Sequence, residues 1–88
     1  MIPLSLKRVV VMGLGRFGGG AGVTRFLAGQ GSRVLVTDLQ PADKLTDSLK
    51  LIEDLPVQLR LGEHHLADFQ NADLIVANPA VKPHDNIY

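Results

Sequence analysis

Gly13, Gly15 and Gly18 stand at G-x-G-x-x-G spacing, directly after the apolar run Val9-Val10-Val11-Met12. A run of this kind with no polar break reads as a strand buried on both faces. Each glycine has a physical reason. One permits the tight turn, another lets backbone N–H groups approach a phosphate, and a third lets the following helix pack close to the strand. The helix that follows aims its positive end at the same point. The chemistry that fits is the non-covalent cradling of a nucleotide that bears a diphosphate. The plain alternative is a strand-to-helix turn with no ligand. Gly19 and Gly20 extend the run, so the third glycine of the pattern is either Gly18 or Gly20.

Asp38 is the second candidate. It closes another apolar run, Val34-Leu35-Val36-Thr37, twenty positions after Gly18. A carboxylate at that place accepts hydrogen bonds from a ribose or from a base N–H. Its bland reading is a turn or capping residue ahead of Pro41. Arg16, inside the loop, is suited to a phosphate or simply to solvent. His64-His65 is not read as a metal site, because adjacent side chains point in different directions and no third ligand stands at a usual spacing. Glu63, Asp68 and Asp73 read as solvated surface. Lys82 and His84 are given no role. No G-x-x-x-x-G-K-[ST] phosphate loop occurs, and no nucleophile–base pair is evident, so the chain alone is not expected to catalyse a reaction.

These residues are positioned by a regular alternation of elements. Strands are expected over 8–12, 33–38, 57–61 and 73–77, the third alternating strictly and hence near a sheet edge. Helices are expected over 21–30 and 44–54, with a shorter helical turn within 63–71. In the first, Val23, Phe26 and Leu27 form the apolar face, with Thr24 and Arg25 turned away. In the second, Leu45, Leu49 and Ile52 recur at helical spacing. Pro79 and Pro83 exclude regular structure at the end of the chain. The fold class is therefore α/β, a Rossmann-like open parallel sheet of about four strands with helices on both faces, binding ligands beyond the carboxyl ends of its strands.

The totals agree. Eighty-eight residues, 45% hydrophobic and 20% charged, make one small domain. Nine basic residues balance nine acidic ones, which argues against a nucleic-acid or membrane-surface partner. There is no Cys, hence no disulfide framework. No apolar run approaches the ~20 residues of a membrane span, and the N-terminus has no signal-peptide pattern, so a cytoplasmic location is expected.

Three stretches carry a family resemblance: Val10-Val11-Met12-Gly13-Leu14-Gly15, Phe26-Leu27-Ala28-Gly29-Gln30-Gly31, and Val34-Leu35-Val36-Thr37-Asp38. The segment Ala72-Asp73-Leu74-Ile75-Val76-Ala77-Asn78-Pro79-Ala80-Val81 is the most telling. Together they resemble the N-terminal, UDP-binding domain of the Mur ligases, and within them the enzymes that join D-glutamate to UDP-N-acetylmuramoyl-L-alanine. The resemblance implies a bacterial ligase of cell-wall peptidoglycan synthesis that forms an amide through an acyl phosphate. It implies ATP and Mg, used by central and C-terminal domains absent here, and no cofactor in this chain. Residues 1–88 are then one nucleotide-binding domain, expected to be truncated at its C-terminal end. Carried across by position, the backbone after Gly15 cradles the diphosphate, on Arg16 and Phe17 or on Gly18 and Gly19. Asp38 faces the uracil with Leu39 and Gln40 beside it, and Asn78, Pro79 and Ala80 line the far wall. Leu39 and Gln40 replace the Thr/Ser and Arg that often follow the aspartate in the family. Asn78 and Ala80 replace its Ser and Gly.

The loop alone is also similar to that of NAD(H)-binding regulatory domains of potassium channels and transporters, which sense a ligand and catalyse nothing. Downstream that likeness fades. Those domains tend to carry Gly-Asp-Ala-Thr after the third strand, where this chain has Gly62-Glu63-His64-His65.

Overall fold

The computed structural model describes residues 7–15 and 19–77. Four strands form one parallel sheet: β1 (Arg8–Met12), β2 (Arg33–Asp38), β3 (Gln58–Leu61) and β4 (Leu74–Ala77), in the spatial order β3-β2-β1-β4. The helices are α1 (Gly19–Gly29), α2 (Thr46–Lys50) and α3 (Leu66–Gln70), with a short 3₁₀ turn at Ala42–Lys44. The expected α/β class and strand sequence are therefore present. So is the edge position of β3, which leaves Leu59 47% exposed although Val57 and Leu61 on the same face pack against the core.

The central strands explain themselves by burial. Val9, Val11, Val34 and Val36 face the core shared with Leu14, Ala21, Leu27, Leu45 and Ile52. Val10, Met12 and Thr37 are buried on the other side of the sheet. There Thr37 Oγ1 and His64 Nδ1 share a hydrogen bond of 2.7 Å, and the His64 ring meets Phe69 of α3 edge-on. Arg60 of β3 donates to both carboxylate oxygens of Asp68, at 2.9 and 3.2 Å, which holds the Asp68 carboxyl below its ordinary pKa. Asp73 caps the start of the sheet, accepting the Arg8 N–H at 2.9 Å on its side chain. Asp68 and Asp73 thus tie elements together, where the sequence reads them as solvated.

Two expectations about the helices need correction. First, α1 begins at Gly19 and buries Gly20, Ala21, Thr24 and Leu27, whereas Phe26 is 58% exposed. Thr24 faces inward because its hydroxyl donates to the Gly20 carbonyl at 2.7 Å, so its polar group enters the core already satisfied. Arg25 does turn outward, bridging to Asp54 at 2.6 Å and to the Leu51 carbonyl. Second, the segment 44–54 is not one continuous helix. Leu45, with φ −124° and ψ 18°, separates the 3₁₀ turn from α2, and turns follow α2. A segment this short has no helical stability of its own, and packing decides its path. Leu45 and Ile52 are each 2% exposed, so the apolar face survives although the helix is interrupted.

The approach of α1 to β1 depends on Gly20. A Cβ there would fall on the carbonyl oxygens of Gly13 and Leu14 and on the Leu14 Cα, all backbone. Gly20 is therefore a glycine that allows close helix–strand packing, one of the two alternatives of the sequence pattern; the other, Gly18, lies outside the described residues. Gly22, two residues on, has open space around its missing Cβ. Gly20→Ala is expected to destabilise by about 3 kcal/mol through overpacking, and Gly22→Ala to stabilise by about 0.5–1 kcal/mol through helix propensity. Denaturant unfolding of the two variants checks the opposite signs.

Candidate functional site

Strand order locates the site before any side chain is considered. The chain runs from β1 outward through β2 to β3 and then returns to place β4 on the other side of β1. The reversal falls between β1 and β4, and in open parallel sheets ligands bind beyond the carboxyl ends of strands at such a point. Gly13-Leu14-Gly15 leaves β1 there, and Ala77, the last residue of β4, pairs with Met12 beside it.

The loop is shaped by glycines and fixed by hydrogen bonds. Gly13 and Gly15 have φ of 95° and 75°, in the left-handed region that side chains other than glycine rarely adopt. Between them Leu14 is fully buried and roots the turn in the core. The Gly13 N–H donates to the Thr37 carbonyl at 2.8 Å, extending the β1–β2 pairing by one rung. The Gly20 N–H donates to the Leu14 carbonyl at 3.2 Å, joining the first turn of α1 to the loop.

Asp38 occupies the centre of this arrangement and is 8% exposed. Its Oδ2 accepts the N–H of Leu14 at 2.9 Å and of Gly15 at 3.2 Å, and its Oδ1 accepts the N–H of Gln40 at 2.9 Å. The carboxylate thus holds both the glycine loop behind it and the turn after its own strand. Charge-assisted bonds of this kind are among the stronger ones. Its remaining capacity is small, since an ionised carboxylate offers about four lone-pair sites. Leu39 is 63% exposed and Gln40 is exposed, so the two residues after the aspartate border the mouth of the site. The Gln40 and Asp38 carbonyls both receive the Gly62 N–H, at 3.0 and 2.9 Å, which anchors this turn to the end of β3.

Ser48 is the residue that the sequence reading missed. It is 1% exposed, and its hydroxyl donates to the Gly15 carbonyl at 2.5 Å. The available signal was a polar residue on an apolar face, since position 48 lies between Leu45 and Ile52 at helical spacing.

Of the residues expected at the site, the structure brings together Gly15, Gly19, Asp38, Leu39 and Gln40. Arg16, Phe17, Gly18, Asn78, Pro79 and Ala80 lie outside the described residues. His64 and His65 have separate partners, Thr37 and Glu63, the latter at 2.8 Å. No group of three or more His, Cys, Asp or Glu is placed to hold a metal among the described residues. A separate hollow of about 610 Å³, bordered by Arg8, Arg33 and Asn71, lies at the amino ends of the strands, away from the glycine loop. No helix among the described residues is long and apolar enough to cross a membrane. The arrangement suits binding: backbone amides and a helix N-terminus around a rigid turn, with a polar and an apolar side chain at the rim.

Known proteins resemble this chain over nearly all of its length. Residues 7–87 match the family described as Mur ligase MurD-like, N-terminal domain. A UDP-N-acetylmuramoylalanine--D-glutamate ligase of Roseiflexus sp. (strain RS-1) is 53% identical over 93% of this chain, which covers 18% of that relative. The protein of the same name from Treponema pallidum (strain Nichols) is 49% identical over 93% of the chain and 16% of its own length. That from Borreliella burgdorferi (strain ZS7) is 42% identical over 86% and 17%. The chain thus spans less than a fifth of the curated relatives it matches. With the parallel sheet, the glycine loop at its reversal point and the matched residues in agreement, the chain belongs to the family of Mur ligase MurD-like N-terminal domains.

Proposed function

We propose that this chain holds the uridine diphosphate end of UDP-N-acetylmuramoyl-L-alanine while other domains of the same ligase join D-glutamate to it. The observation that carries the reading is the rigid glycine loop at the β1–β4 reversal, within a chain about half identical to named ligases. The work of this domain is binding and orientation. The diphosphate sits against the backbone that follows Gly15 and against the positive end of α1 at Gly19. The uracil lies over the turn at Asp38, with Leu39 as an apolar surface and Gln40 as a hydrogen-bonding edge. Asp38 contributes chiefly by holding that turn and the loop in one geometry. Asn78, Pro79 and Ala80 are assigned to the opposite wall by their match to the family segment alone.

ATP and Mg are assigned to the domains outside this chain, whose sequence carries no P-loop pattern. There ATP activates the alanyl carboxylate as an acyl phosphate, and the amine of D-glutamate displaces phosphate to form the amide. Anchoring the nucleotide far from the reacting carboxylate turns remote binding energy into orientation at the reaction centre. On this reading the reaction is assigned to the bacterial cytoplasm.

Thermal unfolding with UDP-N-acetylmuramoyl-L-alanine, UDP, NAD and NADH in parallel tests the reading. A ligand at ~100 times its Kd stabilises by about 2.7 kcal/mol, which raises Tm by roughly 10–20 degrees in a domain of this size. The UDP compounds are expected to give that shift, and Asp38→Ala to abolish it. A shift with NAD or NADH alone overturns the proposal.

A further inference from the structure

We infer that Ser48 is a positioning residue for the nucleotide, acting through the Gly15 carbonyl that its hydroxyl holds. The inference rests on the nucleotide reading above and adds to it a residue remote in sequence from every part of the glycine motif. Ser48 lies 33 positions from Gly15 and on a different element, α2. Its side chain is buried on the face that also carries Leu45 and Ile52. Packing alone calls for an apolar residue there, and helix propensity favours alanine over serine. A buried hydroxyl at this place is accounted for by its acceptor, the Gly15 carbonyl at 2.5 Å.

The geometry makes that bond consequential. Gly15 is held from both ends, its N–H on Asp38 Oδ2 at 3.2 Å and its carbonyl on Ser48. As a glycine with φ 75° it has the widest backbone freedom of any residue, so its orientation is set by those two partners. A trans peptide is planar, with the carbonyl and the following N–H opposed. Fixing the Gly15 oxygen on α2 therefore fixes the orientation of the peptide plane at Gly15, where the loop turns toward the nucleotide. Asp38 and Ser48 form a two-sided clamp on Gly15, one on the peptide before it and one on the peptide after it. Binding to a loop that is already ordered avoids an ordering cost that a loosened loop incurs.

The test compares Ser48→Ala with Leu49→Ala in titrations with UDP, at a temperature where each variant is folded. Leu49 packs against the same core from the same helix but touches no loop atom through a hydrogen bond, so it controls for general destabilisation. Ser48→Ala is expected to weaken UDP binding by about fivefold to tenfold, the scale of one lost hydrogen bond, and to move the Gly15 carbonyl ¹³C resonance. Leu49→Ala is expected to lower Tm while leaving UDP affinity within about twofold. Equal affinity of Ser48→Ala and the unaltered chain overturns the inference, as does an equal loss in Leu49→Ala. Failure of the unaltered chain to bind any UDP compound overturns the nucleotide reading, and this inference with it.

Discussion

One carboxylate holds the site together. Asp38 ends β2 with its side chain turned back toward β1, where it accepts two amides of the glycine loop and one of its own turn. Those three N–H groups belong to tight turns, and each donates to the same carboxylate. Burying such groups unpaired costs about 1–3 kcal/mol each, so the aspartate removes a penalty that the turns would otherwise carry. The result joins the carboxyl ends of β1 and β2 into one rigid rim.

The rest of the architecture serves that rim. Gly13 and Gly15 supply the positive φ angles the turn requires, and Leu14 anchors it in the core. Gly20 lets α1 come close enough for its N–H to reach the Leu14 carbonyl, so the helix starts against the loop. α2 closes the arrangement through Ser48. A helix interrupted at Leu45 still delivers that serine, because Leu45 and Ile52 seat the segment on the core from either side. The β3 end is tied in by the Gly62 N–H. α1 and α2 thus each bond the glycine loop and the end of β3 bonds the Asp38–Gln40 turn, which is what a preorganised binding rim demands.

Much of this was legible in the sequence, for identifiable reasons. The strands are continuous valine-rich runs or strict alternations, and both signals are local. The glycine loop and Asp38 were visible because their spacing reflects a fixed distance between neighbouring strand ends. Two kinds of feature were hidden. One is a polar group whose partner is backbone: Thr24 looks like a surface residue until its bond to the Gly20 carbonyl is known, and Ser48 until its bond to Gly15 is known. The other is competition between hydrophobic side chains. Phe26 has the right period for a core residue, yet α1 turns Ala21, Thr24 and Leu27 inward and leaves Phe26 exposed. The sequence marks the place of Asp38 through its spacing but says nothing of where its oxygens point, which is at three backbone amides.

The central claim is that the Asp38 carboxylate fixes the glycine loop. Amide hydrogen exchange of Leu14 and Gly15, in the chain and in Asp38→Asn under folded conditions, addresses it most directly. Asparagine keeps the size of the side chain and removes the charge-assisted acceptor. The account predicts protected Leu14 and Gly15 amides in the unaltered chain and a selective loss of that protection in Asp38→Asn, with the β1–β2 amides still slow. Unchanged protection of both amides in Asp38→Asn would contradict it.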